Sequence, residues 1–159
     1  MILKILLAGD GGQGIQTIAE IICRAAFQKN WHVSYIPNYG LEQRGGVSLS
    51  FIQISDKVIG YSKFTTPDIL LIMSEQARAR VKNYESGIMN YDVKDYAQKL
   101  EEQKIGKSSY NIFFLGLLVK YLEEKNVLKK EEVYELLEKK LGKKLNWEEN
   151  KSIFQTCTL

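Results

Sequence analysis

One short stretch near the start of the chain, LLAGDGGQGIQTIAEII at residues 6–22, constrains the fold more than any other part of the sequence. The apolar run at residues 2–8 is typical of a strand that is buried on both faces of a sheet. Beyond the glycines, apolar side chains recur on one helical stripe, formed by Ile15, Ile18, Ala19, Ile22 and Ala26. The stretch therefore predicts a central parallel strand, a glycine turn and a helix packed against the sheet.

The rest of the chain continues this alternation of strands and helices. The pattern predicts a strand at 31–39 that ends at Pro37, an alternating strand at 46–55 that forms a hairpin with residues 58–61, and short strands at 67–73 and 87–92. Ser74 is placed to cap a polar helix, and the pattern is helical from Ser108 onward. We expect one α/β domain over residues 1–159, a three-layer Rossmann-like fold with a mainly parallel sheet, helices on both faces and a helical C-terminal third.

Composition narrows the classes of function. The chain has 159 residues, a formal net charge of +3, two cysteines without a CxxC motif and a single histidine. The small, dispersed positive charge gives no signature of binding to nucleic acid or to membranes. The cysteine and histidine counts argue against disulfides, metal or iron–sulfur sites and a Ser-His-Asp triad within this chain. The apolar start lacks a cleavage pattern and stops at glycines, so we expect a cytoplasmic protein.

The first glycine cluster contains GxGxxG at Gly9, Gly11 and Gly14. Glycines permit a tight turn and a close backbone approach, and the start of the following helix offers free N–H groups to an anion. A nicotinamide site also needs an acidic residue at the end of the second strand, which this sequence lacks. A P-loop needs Lys and Ser/Thr where this chain has Ile15 and Gln16. A turn that serves only close packing remains an alternative.

A second cluster, NYGLEQRGGVS at residues 38–48, follows the second predicted strand. Arg44 carries a planar guanidinium suited to bidentate contact with phosphate or carboxylate, and Gly45 and Gly46 let backbone approach beside it. Two structural alternatives stay open on the residues alone. In these alternatives Arg44 would pair with Glu42 or with a backbone carbonyl, and the two glycines would start the next strand with a bulge.

Together the two clusters carry a family resemblance. AGDGGQG followed by YGLEQRGG resembles the gamma subunit, or fused gamma domain, of the 2-oxoacid:ferredoxin oxidoreductases, which act on pyruvate, 2-oxoglutarate or ketoisovalerate. The segments PDILLIMSEQA at residues 67–77 and NIFFLG at residues 111–116 extend the resemblance along the chain. The small subunit of indolepyruvate ferredoxin oxidoreductase, usually a longer chain, is the second candidate within the superfamily.

The resemblance implies a role in a multi-subunit oxidoreductase. Such enzymes convert a 2-oxoacid and coenzyme A reversibly into acyl-CoA, carbon dioxide and reduced ferredoxin. The alpha and beta subunits bind thiamine diphosphate and magnesium, and the beta subunit or a ferredoxin-like delta subunit carries iron–sulfur clusters. By resemblance, this chain contributes no catalytic residue, is inactive alone, packs against the thiamine-binding subunits and helps to bind coenzyme A.

The resemblance also assigns binding residues. Gly9, Gly11, Gly12, Gln13 and Gly14 match the family's first loop, and Tyr39, Gly40, Glu42, Arg44, Gly45 and Gly46 match its second. We expect Arg44 and the backbone of residues 11–14 to contact an anionic part of coenzyme A, or a subunit edge that shapes its site. The Gln13 amide can orient the second loop instead of touching ligand. Asp10 is unfavourable beside an anion unless its carboxylate turns away or caps the helix.

Two other classes of function remain open at this point. A stand-alone nucleotide-binding or regulatory module would use the glycine loop for a small anionic ligand. A scaffold between catalytic subunits would keep the family and dispense with the ligand. Copurification with larger thiamine-binding chains separates the first of these from the subunit hypothesis, and the effect of removing the Arg44 charge on the Michaelis constant for coenzyme A separates the second.

Overall fold

The computed structural model of the protein describes residues 1–39, 45–84 and 89–157. Within them, five strands form one sheet in the order β2-β3-β1-β4-β5. The strands are β1 (Ile2–Asp10), β2 (His32–Tyr39), β3 (Val47–Ser55), β4 (Ile69–Ile72) and β5 (Met89–Asp92). The predicted first strand, glycine turn and helix are confirmed, and β1 lies at the centre of the sheet as expected.

Six α-helices accompany the sheet in these residues. They are α1 (Ile15–Gln28), α2 (Glu75–Arg80), α3 (Ala97–Glu102), α4 (Tyr110–Glu124), α5 (Lys130–Leu141) and α6 (Trp147–Cys157). The last three form the helical C-terminal third that the sequence predicts. None of the helices in the described ranges is both long and apolar enough to cross a membrane.

The sheet is mixed, because β3 runs against its two neighbours. The β1–β4 and β4–β5 ladders are parallel, and the β1–β3 and β2–β3 ladders are antiparallel. Four strands therefore share one direction, and the α/β class is confirmed. The reversed strand arises because β3 returns from β2 as its antiparallel neighbour and inserts beside β1, whereas a parallel neighbour would need a crossover connection.

Two local predictions around this antiparallel half are wrong. Residues 58–61 form no strand, and Val58 and Tyr61 are exposed, because β3 takes β2 and β1 as partners instead of the segment that follows it. Pro37 does not end the second strand, which continues to Tyr39. Proline is tolerated there because β2 lies at the edge of the sheet, where an N–H can be missing without breaking a ladder on both sides.

Helices cover the two faces of the sheet unequally. Alternate residues of β1 separate into two cores: Leu3, Ile5 and Leu7 pack toward α1 and α4, and Leu6 and Ala8 pack toward α2. The α1 face holds the larger core, which extends into the C-terminal helices. The other face carries a small cluster centred on α2. The three-layer arrangement is present, with one thick and one thin helical layer.

The helix α4 is buried along most of its length, and one of its residues has no room for a side chain. A Cβ added at Gly116 would lie 2.7 Å from Cys157 Cβ of α6. This close approach lets α4 and α6 pack together, and it explains the glycine of the NIFFLG segment.

We expect Gly116→Ala to destabilise the fold by about 1 kcal/mol, because the overpacking at Cys157 outweighs the gain in helix propensity. Chemical denaturation measures the change. Gly60→Ala is the matched control, since a Cβ there meets no atom within 4 Å. In a Cys157→Gly background, Gly116→Ala becomes stabilising. An increase in stability with Cys157 present would contradict this packing account.

Candidate functional site

The first glycine loop joins the end of β1 to the start of α1. Gly12 and Gly14 adopt left-handed backbone conformations, with φ of 90° and 78°. A Cβ at Gly14 would lie 2.3 Å from the Asn111 Nδ2 atom of α4. A Cβ at Gly9 would lie 2.8 Å from Ile15 Cγ1, so that glycine sets the close packing of strand against helix. The loop needs glycine for both backbone conformation and space.

The amino terminus of α1 is open to a ligand. Gly14 is its N-cap and offers no side chain to accept a hydrogen bond, and the first turn contains no acidic residue. The first N–H groups of a helix have no intrahelical acceptor, and they carry the positive end of the helix dipole. An uncapped terminus of this kind suits an anion.

This terminus opens on a cleft with a volume of about 600 Å³. Residues 10–12 and 14–17 form one wall, and Tyr39, Gly45 and Ser48 form the other. Tyr39 lies at the rim with 67% of its surface exposed. Both glycine clusters thus meet at the carboxyl ends of β1 and β2, the edge at which α/β folds bind ligands.

The backbones of the two loops are directly joined. The Gly11 N–H donates to the Gly46 carbonyl at 2.8 Å, and Gly45 adopts a left-handed conformation with φ of 72°. The structure therefore brings Gly11, Gly12, Gly14, Tyr39 and Gly45 to one cleft and holds Gly46 against it. Gly9 and Gln13 do not line the cleft, but they contact residues that shape the first loop. The other residues of the second cluster, Gly40, Glu42 and Arg44, lie outside the described residues.

Gln13 makes contacts different from those expected of it. Its Oε1 accepts from the Asp10 N–H at 2.7 Å, and its Nε2 donates to the Met73 carbonyl at 3.2 Å. These contacts tie the first loop to the end of β4. The described hydrogen bonds of Gln13 therefore brace its own loop, and none of them reaches the second loop.

The Asp10 carboxylate turns away from the start of α1. Its Oδ1 accepts from the Ser74 hydroxyl at 2.6 Å and from Gln76 Nε2 at 2.7 Å. Ser74 also caps α2 as predicted, because its hydroxyl accepts from the Ala77 N–H at 3.1 Å. The negative charge of Asp10 is thus hydrogen-bonded by two side chains at the start of α2.

A polar cluster under the cleft was missed by the sequence analysis. The Gln16 amide donates to the Ser48 hydroxyl and to the Leu49 carbonyl, both at 2.9 Å. Its oxygen accepts from the Ser50 hydroxyl at 2.8 Å and from the Tyr35 hydroxyl. Burial raises the pKa of Tyr35 to about 12, so it remains a hydrogen-bond donor at neutral pH. The signal in the sequence was the pair of serines alternating with apolar residues along β3.

Neither thiol is set up for nucleophilic chemistry. Burial, with a smaller contribution from Glu20, raises the pKa of Cys23 to about 12, and burial raises that of Cys157 to about 11. Both are therefore protonated at neutral pH, and the thiolate is the reactive form. Within the described ranges, no group of three or more His, Cys, Asp and Glu side chains is arranged to hold a metal ion.

A second cleft, of about 480 Å³, lies on the α2 face of the sheet. Half of its lining residues are aromatic, including Phe51, Phe64 and Tyr84, and Phe51 packs edge to face on Phe64. Among the described residues its lining contains one cation, Lys63, but no glycine and no helix start with free N–H groups. The glycine cleft is therefore the better candidate for an anionic ligand.

Comparison with known proteins identifies the family of the chain. The family model described as pyruvate ferredoxin/flavodoxin oxidoreductase matches residues 4–88, just over half of the chain, and this segment includes both glycine loops. The chain belongs to this family. The resemblance read from the two loops is thereby confirmed.

Two curated relatives are named as enzyme subunits. Ketoisovalerate oxidoreductase subunit VorA of Methanothermobacter marburgensis is 32% identical over 114 residues, which cover 69% of this chain and 24% of VorA. The 2-oxoglutarate synthase subunit KorC of Methanocaldococcus jannaschii is 40% identical over 92 residues, which cover 56% of this chain and 49% of KorC. The matched part of the chain thus spans a quarter to a half of these relatives.

Solved structures share the fold of this family member. The gamma subunit of a keto/oxoacid ferredoxin oxidoreductase from Geobacter sulfurreducens matches 99% of this chain and 95% of its own, with a TM-score of 0.71 and 21% identity. A 2-oxoglutarate:ferredoxin oxidoreductase from Magnetococcus marinus, solved with 2-oxoglutarate, coenzyme A and succinyl-CoA bound, matches 98% of this chain and 31% of its own, with a TM-score of 0.74 and 19% identity. At these identities the likeness concerns the fold.

Proposed function

We propose that this chain is the gamma subunit of a 2-oxoacid:ferredoxin oxidoreductase, with residues 1–159 forming one gamma-type domain that contributes to coenzyme A binding and to assembly. The enzyme would convert a 2-oxoacid, coenzyme A and oxidised ferredoxin into acyl-CoA, carbon dioxide and reduced ferredoxin. The observation that carries the proposal is the uncapped start of α1, which opens with both glycine loops on one cleft.

The cleft suits the diphosphate of coenzyme A. Its volume of about 600 Å³ lies within the range of small-molecule sites. The N–H groups of the glycine loop and of the first turn of α1 would donate to the phosphate oxygens, and no carboxylate of that turn competes with them. The Asp10 charge faces Ser74 and Gln76 instead. Binding here would position the thiol for reaction elsewhere and would perform no chemistry itself.

The second loop would complete this site. Arg44 would form charge-assisted hydrogen bonds to the anionic part of coenzyme A, with Gly40, Gly45 and Gly46 leaving room for the ligand. Tyr39 would cover the ligand from the rim, and Glu42 belongs to the same loop. In the first loop, Gly11, Gly12 and Gly14 would face the ligand, and Gly9 and Gln13 would hold the loop in shape.

The remaining cofactors would lie in partner subunits. Alpha and beta subunits would carry thiamine diphosphate and magnesium, which supply the decarboxylation chemistry. The beta subunit or a ferredoxin-like delta subunit would carry iron–sulfur clusters, and ferredoxin would accept the electrons in the cytoplasm. Subunits of this kind are consistent with the relatives named above, which are themselves parts of multi-subunit oxidoreductases.

Substitution of Arg44 in the complex tests the ligand-binding half of this proposal. We expect Arg44→Ala to raise the KM for coenzyme A about tenfold while kcat at saturating coenzyme A is retained, because a charge-assisted contact to the ligand is lost. Arg24→Ala is the control, since Arg24 is an exposed arginine of α1 outside this cleft. An assembled Arg44→Ala complex with an unchanged KM would contradict coenzyme A binding here and favour a scaffold.

A further inference from the structure

We propose that Gln76 is a positioning residue that holds the second glycine loop against the first and thereby sets the affinity of the cleft for coenzyme A. The inference rests on the proposed function. It assigns a role to a side chain on a third element, α2, which lies outside both glycine clusters and outside the lining of the cleft.

The Gln76 amide bridges the two loops. Its Nε2 donates to Asp10 Oδ1 of the first loop at 2.7 Å and to the Gly45 carbonyl of the second at 2.6 Å. An amide nitrogen has two hydrogens, so both bonds can form at once. One side chain thus donates to an acceptor of each loop.

The backbone that carries Gln76 is fixed from several directions. Ser74 caps the helix and donates to Asp10, and Ala77 is fully buried in the core beneath α2. Arg78 forms a bidentate pair with Asp92 at the end of β5. Because the helix is anchored on both sides of position 76, its backbone holds the Gln76 amide within hydrogen-bond distance of the Gly45 carbonyl.

The Gln76 amide is the described side-chain donor to the Gly45 carbonyl. Gly45 adopts a left-handed backbone conformation just before β3, and the Gly11 to Gly46 hydrogen bond and the β1–β3 ladder join the first loop to Gly46 and to the residues that follow it. Gly45 lines the cleft next to Tyr39. Loss of the Gln76 donor would let this wall shift relative to the start of α1, and a site that has to be ordered when the ligand binds has a lower affinity than a preorganised one.

The exposure of Gln76 makes the proposal testable without loss of the fold. In a complex that contains the Gln76→Ala chain, we expect the KM for coenzyme A to rise about fivefold, since the second loop loses the hydrogen bond to Gly45 and the first loop loses the one to Asp10. We expect kcat, the KM for the 2-oxoacid and the melting temperature of the chain to stay unchanged. Gln98→Ala is the matched control, because the exposed Gln98 amide contacts only Glu102 of its own helix in the described structure.

Two further variants separate the two hydrogen bonds. Gln76→Glu keeps the size of the side chain, removes both donors and places a carboxylate beside Asp10, so we expect a larger rise in the KM for coenzyme A than with Gln76→Ala. The double variant Asp10→Asn/Gln76→Glu restores a hydrogen bond between the two side chains but gives Gly45 no donor. We expect its KM to stay raised. A wild-type KM in the double variant would overturn the role assigned to the Gly45 contact.

The outcomes distinguish this inference from the proposed function. If Arg44→Ala raises the KM for coenzyme A and Gln76→Ala does not, the role of Gln76 is refuted and the binding site stands. If Arg44→Ala leaves the KM of an assembled, coenzyme A-dependent enzyme unchanged, the binding site itself is refuted, and the role of Gln76 falls with it. A rise in KM that comes with a lower melting temperature in Gln76→Ala would identify a structural role and would overturn the positioning role.

Discussion

Gly14→Ala should destabilise this protein by about 4 kcal/mol, the sum of a left-handed backbone that alanine disfavours and an overpacked neighbour. The Gly14 φ is 78°, and a Cβ would lie 2.3 Å from Asn111 Nδ2. Asn111 is only 9% exposed, and its Oδ1 is a buried atom without a hydrogen-bond partner in the described structure. The packed core around α4 gives this side chain little room to move, so the start of α1 would have to shift.

Chemical denaturation with two matched variants checks this result. Gly12 has a φ of 90°, but a Cβ there meets no atom within 4 Å, so Gly12→Ala should cost only the backbone part, about 1–2 kcal/mol. In an Asn111→Ala background, the cost of Gly14→Ala should fall to the Gly12→Ala level. Equal costs for Gly12→Ala and Gly14→Ala in the wild-type background would contradict the contact between the first loop and α4.

Asp92→Asn should destabilise the protein by about 3 kcal/mol at neutral pH, because it leaves the Arg78 guanidinium without its carboxylate. Asp92 is 4% exposed, and Arg78 Nε donates to Asp92 Oδ2 at 2.6 Å while the Arg78 NH2 group donates to Oδ1. The cost lies at the low end for a buried pair because the Arg78 side chain keeps 28% exposure. This pair anchors α2, and with it Ser74 and Gln76, to the parallel half of the sheet.

The pH dependence of this effect follows from the Asp92 pKa. Burial alone would raise that pKa, but the hydrogen bonds from Arg78 and from the Lys94 N–H, with the nearby positive charges, hold it below its usual value. A depressed folded-state pKa gives stabilisation that is present above the unfolded pKa of about 3.9 and is lost as the pH falls through the folded value. The difference in unfolding free energy between wild type and Asp92→Asn should therefore be constant above about pH 5 and shrink below it.

Denaturation curves from pH 7 to acid test this dependence. Glu135→Gln, at an exposed position of α5, is the control and should follow the wild-type profile throughout. Wild-type and Asp92→Asn profiles that stay parallel into acid would contradict the paired state of Asp92.

Local sequence signals predicted the elements whose structure depends on near neighbours. The strand β1, the glycine turn and α1 followed from the apolar run and the helical stripe, because the apolar residues of this segment are the ones that the fold buries. Ser74 was predicted as a helix cap from its position after an apolar strand, and the structure confirms it. The left-handed glycines of the first loop likewise follow from the need for a tight turn.

Contacts between distant parts of the chain could not be predicted in this way. Strand β3 lies between β2 and β1. The alternation of residues 46–55 fits pairing with the segment before it or with the segment after it, so the sequence pattern does not determine the partner. The contact of Gly14 with Asn111 and the bridge from Gln76 to Gly45 join residues that no local pattern connects. The two glycine loops that line the cleft are therefore recognisable in the sequence, whereas the side chains that hold the loops together are not.

The central claim, that this chain is part of a coenzyme A-dependent oxidoreductase, is tested most directly by affinity purification of the tagged chain from its native host under anaerobic conditions. The eluate is assayed for coenzyme A-dependent reduction of a viologen dye with pyruvate, 2-oxoglutarate, 2-oxoisovalerate and indolepyruvate in turn. We predict that larger chains containing thiamine diphosphate and iron–sulfur clusters copurify and that one 2-oxoacid supports activity. Elution of the chain alone, with no activity on any of the four acids at low salt, would contradict the claim and favour a stand-alone binding module.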